Sequence, residues 1–232
     1  MNDTKQVKDS WDAVYQTGDK YKDEPPIPFT KTIISTLEKQ NLLAGKGLYI
    51  GCGNGRNFIP LIDQGLDLVG LDISDTALKQ ISNLKPELKD KLMVLSFSDY
   101  QPAELFDYVI AIQVFQHGNY DETKKNFQKV VDILKPGGLF FLRNRSTKTT
   151  LDEEYEMIEE TPEGGFTVRY LSGSKSGLEI HFLSERELDE LVKIGLNPVI
   201  PAYKVKTPRK LPKHGVTVHW EGVWQKGNFL TS

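Results

Sequence analysis

The chain has 232 residues, with 29 Lys plus Arg against 32 Asp plus Glu, a formal charge of −3 and 38% hydrophobic residues, the balance of a soluble globular protein. One cysteine, Cys52, excludes an intramolecular disulfide and a Cys-type zinc cluster, and near-neutral charge argues against a nucleic-acid binder relying on bulk positive charge. No apolar run approaches the roughly 18 residues of a membrane helix, and the polar N-terminus lacks an export-type apolar region, so a cytoplasmic enzyme or small-molecule binder is expected.

Val7, Trp11, Val14 and Tyr15 recur at helical spacing, which predicts an amphipathic helix within residues 3–20 that ends at Gly18. Residues 23–28 are proline-rich and cannot be helical. Thr30 is placed to cap a helix through Asn41, with Ile33, Ile34 and Leu37 inside. From Gly47 the pattern alternates. Leu48–Ile50, Leu66–Leu71, Leu92–Phe97, Phe106–Val114 and Leu139–Leu142 read as strands. Helices are expected over Arg56–Gln64, Ser74–Leu84 (Ser74 as cap) and Asp121–Leu134, the last stopped by Pro136, Gly137 and Gly138. The fourth strand is apolar without alternation, as a strand buried on both faces should be. Strand–helix repetition at this spacing means a doubly wound, mostly parallel α/β sheet.

Beyond residue 145 the rhythm breaks. Glu153–Glu160 is acidic and reads as a helix, while Phe166–Leu171 and Leu178–Phe182 flank a Gly/Ser turn and predict an inserted hairpin. Ser184 and Glu187 form a capping box for a helix through Ile194. Val199–Val205 and Val216–Trp224 then read as an antiparallel pair joined by a basic loop carrying Lys204, Lys206, Arg209, Lys210 and Lys213. The expected organisation is one domain over 1–232. It comprises N-terminal cap helices (1–44), a core (45–145), a substrate-cover insertion (146–183) and a C-terminal helix with antiparallel strands (184–232).

The most informative stretch is Gly51-Cys52-Gly53-Asn54-Gly55-Arg56-Asn57 between the first strand and its helix. Alternate glycines allow a tight turn and close approach of backbone to a ligand. Asp72 ends the second strand, where a carboxylate can accept from both hydroxyls of a ribose. Arg56 stands where a dinucleotide fingerprint has its third glycine, and no G-x-x-x-x-G-K-[ST] loop is present. The loop therefore suits an adenosine ligand without a pyrophosphate.

On these residues the sequence resembles class I S-adenosylmethionine-dependent methyltransferases, and its loop is similar to that of the small-molecule and tellurite-resistance-type branch. The resemblance implies a seven-stranded Rossmann-like sheet, S-adenosyl-L-methionine as cofactor and methyl transfer to a small-molecule acceptor. By the same resemblance, Gly51, Cys52, Gly53, Asn54 and Gly55 lie along the methionine part of the cofactor. Asp72 holds the ribose, Ile73 packs near the adenine, and Ser98, Asp99 and Tyr100 lie by the adenine amino group. Gln113 and the run to His117 line the cofactor, and Tyr15 either folds over it or packs in the core. The family's usual acid two residues before the first glycine is replaced by Tyr49.

His117, at the carboxyl edge of the sheet, fits a base or substrate contact, or a loop histidine bonded to backbone. Arg143, with Arg145, either pairs with an anionic substrate or is solvated. Cys52 reads as a small packing residue, and the scattered histidines predict no metal site. Two other functions are carried beside the small-molecule enzyme. One is a non-catalytic cofactor-binding regulator; the other is a protein or RNA methyltransferase docking through the basic loop. No nucleic-acid or membrane partner is expected.

Overall fold

The computed structural model describes residues 4–17, 24–211 and 213–227. The stop at Gly18 and the first residue of the proline segment, Asp23, lie outside them. The elements in chain order are α1 (Thr4–Gln16), α2 (Phe29–Lys39), β1 (Lys46–Ile50), α3 (Phe58–Asp63), β2 (Asp67–Asp72), α4 (Asp75–Leu84), β3 (Leu92–Val94), β4 (Phe106–Ile112) and α5 (Tyr120–Ile133). There follow β5 (Leu134–Arg145), β6 (Tyr155–Glu160), β7 (Phe166–Tyr170), β8 (Glu179–Phe182), α6 (Glu185–Lys193), β9 (Leu196–Pro208) and β10 (Val216–Lys226). Seven strands form one mixed sheet in the order β3-β2-β1-β4-β5-β10-β9, and β6-β7-β8 form a second. In the large sheet β1, β2 and β3 pair parallel, whereas β10 runs antiparallel to both β5 and β9. This is the doubly wound α/β sheet with an antiparallel end pair.

Two compact units divide the chain. One comprises Asp3–Ile110 with Ile133–Gly138, the other Ala111–Asp132 with Leu139 onward. In the first, β1 and β2 carry buried Leu48, Tyr49, Ile50, Leu68 and Leu71, against which Phe58, Leu61, Leu78 and Ile81 of the helices are buried. Ser74 caps α4 as expected, its side chain accepting from the Ala77 N–H. Thr30 does not cap α2. The helix already includes it, Pro28 is the capping position, and the Thr30 hydroxyl bonds back to the Ile27 carbonyl at 2.8 Å.

In the second unit the small sheet buries Val168, Tyr170, Ile180 and Phe182, with Leu151 and Phe166 packed against them. The acidic run that reads as a helix is instead strand β6, paired with β7 through Tyr155 opposite Tyr170 and Met157 opposite Val168. Glutamates favour helix only weakly, and a ladder on β7 outweighs that preference. The capping box of α6 is present, with Ser184 and Glu187 exchanging backbone bonds.

Three of the five cations of the basic loop have acidic partners, while Lys206 and Lys210 are exposed. Arg209 pairs with Asp152, Lys213 with Glu153, and Lys204 with Glu185. The start of the acidic stretch and the end of the basic loop thus meet as two ion pairs.

Candidate active site

The turn after β1 depends on glycine. Gly51, Gly53 and Gly55 take φ of 67°, 54° and 92°, in the left-handed region. A Cβ on Gly53 would also stand 2.5 Å from the Tyr15 hydroxyl. The Gly51 and Cys52 N–H groups both donate to the Leu71 carbonyl, at 2.7 and 3.1 Å, stitching the turn to the end of β2. Cys52 is buried beside Gly70, where a Cβ would meet its sulfur at 3.0 Å. Burial, reinforced by the Asp72 charge, pushes its thiol well above the ordinary range, so it packs and does not attack.

Asp72 closes this arrangement. One carboxylate oxygen accepts from the Gly53 N–H at 2.7 Å and the other from the Ser74 N–H at 2.8 Å. Desolvation raises its pKa from 3.8, against the lowering effect of bonds from Ser74, Gly53 and Ile73. A carboxylate has about four lone-pair sites. Backbone donors take both oxygens and, counting Ile73, up to three of these sites, which leaves acceptor capacity for a ligand's donor. Ile73 lies between Asp72 and the cap and is half-buried.

Helix α1 comes down on this corner. Tyr15 is buried with its hydroxyl over Gly53, its carbonyl accepts from Gln80, and its ring lies 6.0 Å from that of Trp11. Asp12, absent from the sequence-based site, accepts from the Ser74 hydroxyl at 2.6 Å and the Thr76 N–H at 3.2 Å, a second cap for α4 from another helix. Burial disfavours its charged form, but bonds from Lys8, Ser74 and Thr76 outweigh that and hold the carboxyl down to about 2. Because this folded value lies below the ordinary 3.8, the stabilisation is present above pH 3.8 and lost as pH falls toward 2. Asp12→Asn is expected to cost about 1 kcal/mol at neutral pH, the size of a lost cap. Denaturant unfolding along a pH series should show the gap to wild type closing below pH 4, by the same linkage.

Tyr49, in place of the family's acid, is buried, its hydroxyl hydrogen-bonded to Asn57 and its ring edge-on to Phe58 at 5.9 Å. Asn57 in turn accepts from the Ile27 N–H at 3.0 Å, and Arg56 donates to the Pro25 carbonyl and pairs with Glu24. The tyrosine therefore supports the glycine loop by a different route, through the proline-rich segment. Tyr100 is buried against Phe106, whereas Ser98 and Asp99 are exposed on a turn in which Ser96 and Ser98 share a 2.7 Å hydroxyl contact.

In the second unit, Gln113 follows β4 at φ 58°, an uncommon conformation for this residue type. Its N–H donates to the Arg143 carbonyl at 2.7 Å, and its side-chain amide lies 2.9 Å from His219 Nε2. Arg143 is buried, not solvated. It forms an ion pair with Glu221 and reaches His219 Nδ1 at 3.1 Å. Guanidinium only donates, so a hydrogen bond from Arg143 requires Nδ1 to accept. Burial and the Arg143 charge push His219 down to about 2, which keeps it neutral. The Tyr203 hydroxyl donates to the remaining Glu221 oxygen at 2.8 Å. His117 is likewise kept neutral, at about 3, by burial and the charges of Arg145 and Lys175.

Sequence reasoning missed Glu221, His219 and Tyr203. The available signal was the pair of polar residues two apart in an otherwise apolar strand, which alternation turns to one face.

Residues 48–140, from β1 into β5, match the family model described as a methyltransferase domain. Over these residues the chain is similar to a methyltransferase domain. It is 29% identical over 133 residues to probable thiol methyltransferase 2 of Arabidopsis thaliana, which covers 56% of either protein. Against thiocyanate methyltransferase 1 of Brassica oleracea it is 27% identical over 113 residues, 47% of this chain and 50% of that one. The chain spans about half the length of these curated relatives. Among solved structures, 1,6-didemethyltoxoflavin-N1-methyltransferase of Burkholderia thailandensis, with S-adenosylhomocysteine and 1,6-didemethyltoxoflavin bound, matches with a TM-score of 0.66. That match covers 96% of this chain and 88% of the other at 17% identity, a likeness of fold. The family match ends at Phe140, just before Arg143.

Among the described residues no His, Cys, Asp and Glu cluster could hold a metal ion, and no helix is long and apolar enough to cross a membrane.

Proposed function

We propose that this protein transfers a methyl group from S-adenosyl-L-methionine to a small-molecule acceptor. The observation that carries this reading is Asp72. It holds the loop through Gly53 and the α4 cap through Ser74, and its carboxylate keeps acceptor capacity for a ribose hydroxyl at the end of β2. Gly51, Cys52, Gly53, Asn54 and Gly55 are assigned to the methionine part, Ile73 to the adenine and Ser98, Asp99 and Tyr100 to its amino group. Tyr15 covers the glycine turn, and Gln113 lines the cofactor on the β4 side.

Bound S-adenosylmethionine would supply an electrophilic methyl carbon on a sulfonium. The chain's own residues have to orient donor and acceptor in line and exclude water. Asp72 and the glycine backbone fix the donor, and α1, tied down by Asp12 and Tyr15, shields that corner from solvent. Neutral His117 and His219, with pKa values far below 7, are weak bases, which favours an acceptor that needs no proton removed. The ion pairs of Lys204, Arg209 and Lys213 weigh against RNA docking, and Tyr49's bond to Asn57 supports a working loop. The thiol and thiocyanate enzymes among the relatives support a small acceptor. We also place the protein in the cytoplasm, with its single thiol buried.

Calorimetric titration with S-adenosylmethionine is expected to show saturable one-to-one binding, followed by S-adenosylhomocysteine release on adding acceptors. Absence of binding to the wild-type chain would end this reading.

A further inference from the structure

Helix α1 is held to its unit differently from α2. Five side chains of α2 are buried, Phe29, Thr30, Ile33, Thr36 and Leu37. Among the described residues of α1 only Tyr15 is buried, while Val7, Trp11 and Val14 are half-buried. The apolar face of α1 therefore contributes less than that of α2, and polar contacts to α4 carry much of its docking. An element opens most cheaply where buried apolar contacts are few.

Those polar contacts close a ring around the glycine turn, all within one unit. The Asp12 carboxylate takes the Ser74 hydroxyl and the Thr76 N–H, and one turn along α4 the Gln80 amide donates to the Tyr15 carbonyl at 2.8 Å. Lys8, a turn earlier on α1, pairs with the other Asp12 oxygen. Ser74 gives its N–H to Asp72, and Asp72 takes the N–H of Gly53. Ser74 thus stands between two carboxylates, one at the end of β2 and one on α1. The three atoms nearest a Cβ built on Gly53 all belong to Tyr15, so the ring returns to α1 over the turn itself.

The chain beyond α1 is anchored separately. The Arg56 side chain donates to the Pro25 carbonyl at 2.9 Å and pairs with Glu24, and the Ile27 N–H donates to Asn57 at 3.0 Å. Releasing α1 from α4 breaks none of these bonds. The segment from Glu24 to Ile27 can stay on the far end of the loop while α1 leaves its near end.

We propose that α1 is a gate on cofactor exchange with Asp12 as its latch, opening from α4 to admit S-adenosylmethionine and to release S-adenosylhomocysteine. This rests on the methyl-transfer reading, in which the methionine part of the cofactor lies along the glycine turn that Tyr15 covers. With the latch closed, entry and exit are both slow. Loosening the latch lowers the cost of opening equally in the empty and the loaded protein. Both exchange rates then rise together and the equilibrium between them stays. A residue that merely held the ligand would change release alone.

The test runs on the full chain with labelled S-adenosylhomocysteine as probe, association read by rapid mixing and release by a chase of unlabelled ligand. Asp12→Ala should raise both rate constants about fivefold, the effect of one lost cap, while Kd stays near that of the wild type. Gln80→Ala should move both in the same direction by less. Joining Gln16→Cys to Gln80→Cys with a short bismaleimide pins α1 to α4 beside the Tyr15 carbonyl. Bound probe should then stay trapped and fresh probe be shut out, and the buried thiol of Cys52 is sheltered from the reagent. If Asp12→Ala folds poorly, the cross-linked chain decides. Unchanged rates in Asp12→Ala, faster release without faster association, or wild-type exchange in the cross-linked chain overturns the proposal. Failure of the wild-type chain to bind S-adenosylhomocysteine at all is a separate result and overturns the methyl-transfer reading itself.

Discussion

Glu187→Ala is expected to destabilise the protein by about 3–5 kcal/mol, the range for removing one member of a buried, hydrogen-bonded pair. The side chain is fully buried and works in three directions at once. It accepts from the Thr161 hydroxyl at 2.6 Å and the Ser184 N–H at 2.8 Å, and lies 3.3 Å from His181 Nε2. His181 is itself buried, bonded to Thr167 at 2.8 Å and stacked on Tyr120 at 5.1 Å. Thr167 and the Tyr120 N–H both donate to Glu159. Removing one carboxylate therefore strands donors on β8, on the turn before β7 and at the head of α6. Gly165 allows this closeness, since a Cβ there would stand 2.0 Å from the carboxylate.

Glu187→Gln keeps the volume and one acceptor but turns an NH₂ toward a donor, so about 1–3 kcal/mol is expected. Despite the cost of burial, the bond and charge of His181 hold the Glu187 carboxyl below its ordinary 4.5. Its contribution is then complete above pH 4.5 and is lost as pH falls through the lower folded value. Urea unfolding of both variants at neutral pH and in acid checks the size and the sign. An alanine variant as stable as wild type would remove the network from any account of the small sheet.

The head of α6 was legible because a capping box is a local pattern, four residues long. The same holds for the glycine turn, Asp72 and the Ser74 cap, where each signal sits within one turn of the element it controls. Strand β6 was not legible. Tyr155, Met157 and Ile158 among glutamates satisfy no clean period, and only the partner strand β7 decides the matter. Nor was the Arg143 network, whose members Glu221 and His219 stand 78 and 76 residues away. Their meeting follows from the antiparallel register of β10 on β5, and register is a property of two strands. Reading Arg143 and Arg145 as equivalent edge cations failed for the same reason. Glu221 closes one, while the other lies against an aromatic ring of the small sheet.

Asp72→Asn is expected to weaken S-adenosylhomocysteine binding by about 1–3 kcal/mol, from roughly fivefold to more than a hundredfold, through loss of charged hydrogen bonds. The carboxylate now faces two backbone donors with two separate oxygens. An amide supplies one oxygen, so either Gly53 or Ser74 must face an NH₂, and the loop or the α4 cap loosens before any ligand arrives. A ligand's hydroxyls would meet the same shortage. The wild-type group should also impose a pH dependence. Desolvation raises its pKa, and ribose donors stabilise the charged form, so affinity should fall once the pH drops below that raised value. The asparagine variant should lack this acid limb. Gly53→Ala separates loop geometry from charge. At φ 54° with the Tyr15 hydroxyl 2.5 Å from the added carbon, it costs about 1–2 kcal/mol of backbone strain and displaces α1. Its affinity loss should be partly relieved by Tyr15→Phe, which removes the clashing oxygen. Asp75→Asn, at an exposed i,i+4 pair with Lys79, should leave binding unchanged. Calorimetry on the four variants across pH reads these effects apart. If Asp72→Asn binds as wild type does and keeps the acid limb, the ribose is held elsewhere and Asp72 serves the loop alone.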